Sequence, residues 1–121
     1  MPFVDMGRSL DAYRGLRASD DLVGVSSNME HVVSYLKSGT VILDHFGPWR
    51  DYLDDSKPDI DLGFSLLTDG FWIWSSELLY YLKTYAILLP SEFVDHMEKA
   101  RWTVDEDFVK SQWSKLLLEL L

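Results

Sequence analysis

The chain has 121 residues, 47 % of them apolar, no cysteine, and a formal net charge of −9 from 20 acidic and 11 basic residues. This length suits one domain with its own core, so we predict a single domain over residues 1–121, with residues 1–8 as a loose terminus. The lack of cysteine excludes disulfides, thiol catalysis and cysteine-ligated zinc, and the acidic balance argues against direct binding of nucleic acid.

The beginning of the chain and its apolar runs bear on its location. Residues 1–5 show neither the basic stretch nor the apolar core of a secretory signal. The longest apolar runs, at residues 78–82 and 86–90, are far shorter than a membrane span. The cysteine-free composition fits a reducing compartment. We therefore expect a cytoplasmic protein that does not bind a membrane.

The first third of the chain is predicted to form two helices and a strand. Apolar residues within 10–16 are spaced like one face of a short helix. Ser27 and Glu30 have the spacing of a capping box, which predicts the beginning of a second helix that Gly39 ends. Residues 40–43 are β-prone and predict a short strand. The inward face of the second helix is predicted to consist of Met29, Val32, Val33 and Leu36.

A β-hairpin is predicted at residues 64–74. Asp69 followed by Gly70 is typical of a two-residue type I′ turn, because both central residues of that turn need positive φ. In the resulting register Leu67 lies opposite Trp72.

Three helices are predicted after the hairpin. The first begins at Ser75 or Ser76, the second at Pro90, and the third at a capping box formed by Thr103 and Glu106. The apolar face of the third is predicted to consist of Val109, Trp113, Leu116, Leu117 and Leu120. The fold class is therefore α+β, a mainly helical single domain with a small antiparallel β-hairpin or sheet in the middle.

The sequence offers no catalytic or metal-binding motif. His31, His45 and His96 lack i, i+4 ligand spacing with a carboxylate. There is no Gly-x-Ser-x-Gly elbow and no glycine loop that would bind phosphate. We therefore predict no catalytic residue, no metal ligand and no cofactor, and we expect a protein that is not an enzyme.

Five aspartates crowd residues 51–61, with Lys57 as the only basic residue among them. The glycine and terminal glutamate of a calcium loop are missing from this segment. One interpretation is solvated loop charge, and the other is a docking site for a basic partner. The candidate partner-binding residues in this segment are Asp51, Asp54, Asp55, Asp59 and Asp61.

Trp72 and Trp74 lie two positions apart, so both side chains face one side of the hairpin. One interpretation is an exposed stacking platform for a sugar, a base or an arginine of a partner, and Asp69, Trp72 and Trp74 are accordingly candidate partner-binding residues. The other is that the rings pack beneath the following helix, and for at least one of them we favour the core because large aromatics dominate small cores.

Several short motifs span residues 38–96. They are Ser38-Gly39-Thr40-Val41, Asp51-Tyr52-Leu53-Asp54, Thr68-Asp69-Gly70-x-Trp72-x-Trp74, Leu78-x-Tyr80-Tyr81, Tyr85, and Leu89-Pro90-x-x-Phe93. In these motifs the chain resembles a group of small bacterial proteins found beside polymorphic-toxin genes, although Ser75 stands where the group has proline. The resemblance implies an immunity protein, a cytoplasmic inhibitor of a cognate toxin, and it supplies no catalytic residues.

Three functional hypotheses follow. The leading one is an immunity-type protein that masks the active cleft of a basic toxin domain with an acidic surface. The second is a structural or regulatory domain that binds a cellular protein or its own copy, as a homo-oligomer. The third is a small enzyme or ligand-binding domain whose site is assembled across the fold.

Overall fold

The computed structural model describes residues 2–16, 21–45, 49–59 and 64–120. The elements in this part of the chain are α1 Met6–Tyr13, β1 Leu22–Val23, α2 Met29–Ser38, β2 Thr40–His45, β3 Phe64–Thr68, β4 Ile73–Ser75, α3 Glu77–Tyr85, β5 Leu89–Pro90, α4 Ser91–Lys99, α5 Glu106–Ser111 and α6 Trp113–Leu120. A 3₁₀ turn, Ser26–Asn28, leads into α2. The predicted α+β fold, mainly helical with a small antiparallel sheet, is confirmed.

The central sheet contains β2, β3 and β4 in that order, all antiparallel. The predicted hairpin between β3 and β4 is present, but its predicted register is wrong. Leu67 lies opposite Trp74 rather than Trp72, because the connection runs over the four residues 69–72. A shift of two residues leaves each side chain on the face that was predicted for it.

The side chain of Asp69 explains why the connection is longer than a two-residue turn. Its Oδ1 atom accepts hydrogen bonds from the backbone N–H groups of Phe71 and Trp72, at 2.8 and 2.7 Å. These amides are therefore bonded to a side chain rather than to the sheet. Gly70 has a φ of 92°, so the need for glycine at this position was predicted correctly.

Two further strand contacts lie outside the predicted elements. β1 pairs antiparallel with β5. Near the N-terminus, Phe3 forms a parallel bridge with Ile73, and the N–H of Val4 donates to the Ile73 carbonyl at 2.8 Å. Val4 is buried. Residues 2–8 are therefore not the loose terminus that was predicted, since they lie along β4 and begin α1.

The main core lies between the central sheet and helices α2, α3 and α4. The indole N–H of Trp74 donates to the Leu36 carbonyl at 3.1 Å, and its ring lies 5.5 Å from that of Phe93. Gly39 follows α2 directly, and a Cβ atom there would lie 2.5 Å from the Trp74 ring. The end of α2 can approach the sheet this closely only with glycine at position 39.

The beginnings of α2 and α5 differ from the predicted capping boxes. The 3₁₀ turn contains Ser27, and Asn28 becomes the N-cap residue of α2 without a side-chain hydrogen bond. At α5 the cap is Asp105, whose side chain accepts from the N–H of Phe108 at 3.1 Å. The Thr103 hydroxyl donates to a backbone carbonyl instead. The positions of both helices were predicted correctly, and both capping residues were wrong.

The predicted last helix is divided at Gln112 into α5 and α6. Val109 and Leu116 are buried as predicted, whereas Leu117 is 42 % exposed. Leu116, seven positions after Val109, thus continues the buried face across the break, whereas Leu117 lies toward solvent. The side chain of Leu120 lies outside the described part of the chain.

Candidate functional site

Asp51 belongs to a loop that follows β2, and we call residues 49–59 the aspartate loop. Asp51 is 1 % exposed. Oδ2 accepts hydrogen bonds from the hydroxyls of Tyr80 and Tyr85 on α3, at 2.6 and 2.5 Å. Oδ1 accepts from the backbone N–H groups of Leu53 and Asp54, at 2.8 and 3.2 Å. Asp51, predicted to contact a partner, is instead buried and anchors the loop to α3.

Lys57 offsets the charge of this buried carboxylate. Its Nζ atom lies 3.7 Å from Asp51 Oδ2 and 3.2 Å from the Tyr85 hydroxyl, above the rings of Tyr80 and Tyr85. The hydrogen bond with Tyr85 raises the pKa of Lys57. Burial opposes ionisation of Asp51, but the hydrogen bonds from Tyr80 and Tyr85 outweigh it and lower the pKa of Asp51. Both groups are therefore charged at neutral pH.

Tyr81 fixes the backbone of the same loop. Its hydroxyl donates to the Arg50 carbonyl at 3.2 Å and accepts from the N–H of Tyr52 at 3.0 Å. Burial raises the pKa of Tyr81 to about 12, so the hydroxyl keeps its proton under ordinary conditions. Tyr81 and Tyr85 are one helical turn apart and share a face of α3. The tyrosines of α3 thus hold the aspartate loop in two ways, through the Asp51 side chain and through the backbone of Arg50 and Tyr52.

The other predicted aspartates of the loop lie outward. Asp55 and Asp59 are exposed, and Asp54 is partly exposed. Asp55 forms an ion pair with Arg50 at 3.6 Å between two largely exposed side chains, a geometry that contributes little to stability. Asp61 lies outside the described residues. Three of the five predicted aspartates are therefore placed where a partner can reach them.

Exposed tyrosine rings lie near these carboxylates. Tyr52 is 55 % exposed, and it borders a shallow depression of about 320 Å³ beside α1. Tyr13 on α1 is 49 % exposed and lies edge-on to Tyr85, with ring centroids 5.7 Å apart. Neither tyrosine was predicted from the sequence as a partner contact. The Asp-Tyr-Leu-Asp motif at positions 51–54 was the signal that could have indicated Tyr52.

Asp69 is the second buried carboxylate of the fold, at 3 % exposure. Besides the amides of Phe71 and Trp72, it accepts a hydrogen bond from the Tyr35 hydroxyl, and its Oδ2 lies 3.1 Å from His96 Nε2. Burial, together with this carboxylate, raises the pKa of Tyr35. Asp69, also predicted to contact a partner, instead joins α2, the 69–72 turn and α4.

Trp72 and Trp74 do not form the exposed stacking platform. Trp74 is 1 % exposed and Trp72 is partly buried. Both rings contact Phe93 of α4, with centroids 5.0 and 5.5 Å away, so the predicted burial is correct for Trp74, although the helix in these contacts is α4 and not the following helix. The exposed ring of this turn is Phe71, at 48 %, which sequence analysis did not single out. Trp74 is therefore out of reach of a partner, whereas Trp72 keeps a partly exposed ring.

The surroundings of two of the three histidines are described. His96 pairs with Asp69, and His31 stacks on Trp102 at 5.3 Å. The side chain of His45 is outside the described part of the chain. Within the described ranges, no group of three or more histidines and carboxylates is arranged to hold a metal ion.

A cavity of about 640 Å³ opens between the α2–β2 junction and helices α5 and α6. Its lining is mostly apolar and consists of Ser38, Gly39, Thr40, Glu106, Val109, Lys110 and Trp113. The pair formed by Asp69 and His96 does not line it.

Comparisons with protein-family models, with curated proteins and with solved structures find no match to this chain. None of the helices in the described part of the chain is long and apolar enough to cross a membrane. What the chain does must therefore be inferred from its own geometry and charge.

Proposed function

We propose that this chain is a protein-binding domain whose aspartate loop docks on a basic surface of a partner protein. The observation that carries the proposal is the buried anchor at Asp51. It fixes a surface loop to α3 and leaves Tyr52, Asp55 and Asp59 exposed.

A fixed loop suits this role on energetic grounds. Ordering a mobile loop on binding costs free energy, and a loop that is already ordered avoids that cost. Exposed tyrosines such as Tyr52 are among the residues that most often dominate binding energy at protein interfaces. The carboxylates, in a chain with a net charge of −9, attract a basic partner and raise its association rate.

The narrower form of the proposal is an immunity protein. Its partner would be a basic toxin domain, and binding in the cytoplasm would cover the toxin's active cleft. The motif resemblance and the acidic charge support this form, and neither requires catalysis or a cofactor from this chain.

The test begins with the partner. The immobilised chain should retain a basic protein at low salt and release it at high salt, because paired surface charges are screened by ions. Association rates are then measured with that purified protein. We expect the double variant Asp55→Asn/Asp59→Asn to fold normally. Its association rate constant at low salt should be lower than that of the wild type by about threefold or more.

A matched variant controls for overall charge. Glu30→Gln/Glu98→Gln removes two exposed carboxylates from α2 and α4 and leaves the loop intact. Equal rates for the two double variants would show that overall charge, and not the aspartate loop, guides association. Failure to retain any basic protein would refute the proposed function itself.

A further inference from the structure

Phe71 is an exposed aromatic ring at a point where three elements meet. It stacks on Phe108 of α5, with centroids 4.4 Å apart and an interplanar angle of 12°. It also lies 4.6 Å from the ring of His96 on α4. We call Phe71, Phe108 and His96 the aromatic platform. With 48 % of its surface exposed, Phe71 offers the platform's apolar surface to solvent.

The position of Phe71 is fixed by buried groups. Asp69 holds the amides of Phe71 and Trp72, and Asp69 is itself held by Tyr35 and His96. An exposed ring on such a rigid turn loses little conformational entropy when a partner covers it.

Gly70 allows the platform to assemble. A Cβ atom at this position would lie 2.6 Å from the Phe108 ring. Glycine therefore permits both the positive φ of the turn and the close approach of α5. The stacking of Phe71 on Phe108 follows from that approach.

The charges near the platform are mainly negative. Asp95 precedes His96 on α4, and Asp105, Glu106 and Asp107 precede Phe108 at the beginning of α5. All four are exposed, and the basic residues on the same two helices are Lys99 of α4 and Lys110 of α5. An exposed aromatic ring that packs against two helices with exposed carboxylates complements a cation that has a flat apolar face.

We propose that the aromatic platform is a docking site for an arginine side chain of the basic partner, separate from the aspartate loop. This inference rests on the proposed function, since it assumes a basic protein partner. A guanidinium group stacks on an aromatic face while its edge donates to carboxylates. A lysine ammonium is compact and more strongly hydrated, so it gains less from the same surface.

The test uses two peptide probes, hexaarginine amide and hexalysine amide, titrated at low salt while amide signals are followed by NMR. We expect hexaarginine to shift the amide signals of Gly70, Phe71 and Trp72. Dissociation constants from these signals should favour hexaarginine by about threefold, the preference that an exposed cation–aromatic contact provides. Titrating both peptides separates stacking from simple charge attraction.

The matched variants are Phe71→Ala and Phe3→Ala. Phe3 is 53 % exposed, so both changes remove a similar exposed ring. Thermal melts first establish that both variants are folded. Phe71→Ala should abolish the preference for arginine at the turn, whereas Phe3→Ala should keep it.

Two results would overturn the inference and leave the proposed function standing. One is peptide-induced shifts confined to the aspartate loop, at Tyr52 and its neighbours. The other is an arginine preference at the turn that survives Phe71→Ala. If the chain does not retain the natural partner, the proposed function itself fails. That failure is seen in the retention experiment and not in the peptide titrations, so it is distinguishable from failure of the inference.

Discussion

Replacing Asp51 by Asn tests whether charge at the buried anchor stabilises the fold. Asparagine keeps the shape, and its carbonyl can still accept from the amides of Leu53 and Asp54. The NH2 group that replaces Oδ2 can only donate, so the hydroxyls of Tyr80 and Tyr85 must turn to accept from it, and both lose their charged partner. A hydrogen bond to a charged group contributes about 1.5–3 kcal/mol and a neutral one about 0.5–1.5 kcal/mol, so each of the two loses about 1 kcal/mol.

The expected cost of Asp51→Asn at pH 7 is therefore about 2 kcal/mol. Lys57 adds little to this cost, because its side chain is 38 % exposed and its contact with Asp51 is 3.7 Å. For a chain of this length the midpoint of thermal unfolding should fall by about 6–10 °C. Urea unfolding, monitored by tryptophan fluorescence, gives the free energy directly.

The pH dependence follows from the lowered pKa of Asp51. Because its pKa is lower in the folded state, the charged carboxylate favours folding at pH values above its unfolded pKa, which is about 3.9. That contribution is lost as the pH falls through the folded pKa. The difference in stability between wild type and Asp51→Asn should thus be full at pH 7 and shrink below about pH 4.

Asp59→Asn is the control, since it makes the same chemical change at an exposed position of the same loop. It should alter stability by less than about 0.5 kcal/mol. The reasoning would be refuted if Asp51→Asn cost no more than this control at pH 7. If Asp51→Asn lowered the free energy of unfolding as much at pH 3 as at pH 7, the lost stability would not come from the charge of the carboxylate.

Two further substitutions test the packing of the turn and of the last helix. Gly70→Ala should destabilise the fold by about 1–3 kcal/mol in urea unfolding. The reason is that it places a side chain at a φ of 92° and against the Phe108 ring. An unchanged urea midpoint would contradict the described turn. Leu116→Ala should cost about 2–5 kcal/mol, whereas Leu118→Ala, at a position 73 % exposed, should cost less than about 0.5 kcal/mol. Equal costs for the two leucines would show that the orientation of α6 is wrong.

Local patterns were enough to predict the three middle helices and the hairpin of this chain. The spacing of apolar residues located α2, α3 and α4, and the Asp-Gly pair located the turn between β3 and β4. The register was missed by two residues because the Asp69 side chain bonds two backbone amides of the turn. That bonding depends on the whole turn conformation, which the pair Asp69 and Gly70 does not reveal.

The roles of the aspartates could not be read from the sequence. Asp51 is buried because Tyr80 and Tyr85, 29 and 34 residues away, donate to it. Asp59, eight positions along the loop, is exposed. The two are alike in local sequence, and only contacts across the fold distinguish them. In the same way, Phe71 is exposed while Trp74 is buried because of where α4 and α5 pack.

The anchor of the aspartate loop also determines how its backbone exchanges hydrogen with solvent. The amides of Tyr52, Leu53 and Asp54 donate to side chains, one to Tyr81 and two to Asp51, and not to a helix or strand. Protection of the Tyr52 amide therefore depends on the contact with α3, whereas the bonds of Leu53 and Asp54 lie within the loop and move with it. The exchange rate of the Tyr52 amide reports the opening of the loop separately from unfolding of the core, and a partner that holds the loop closed would slow it.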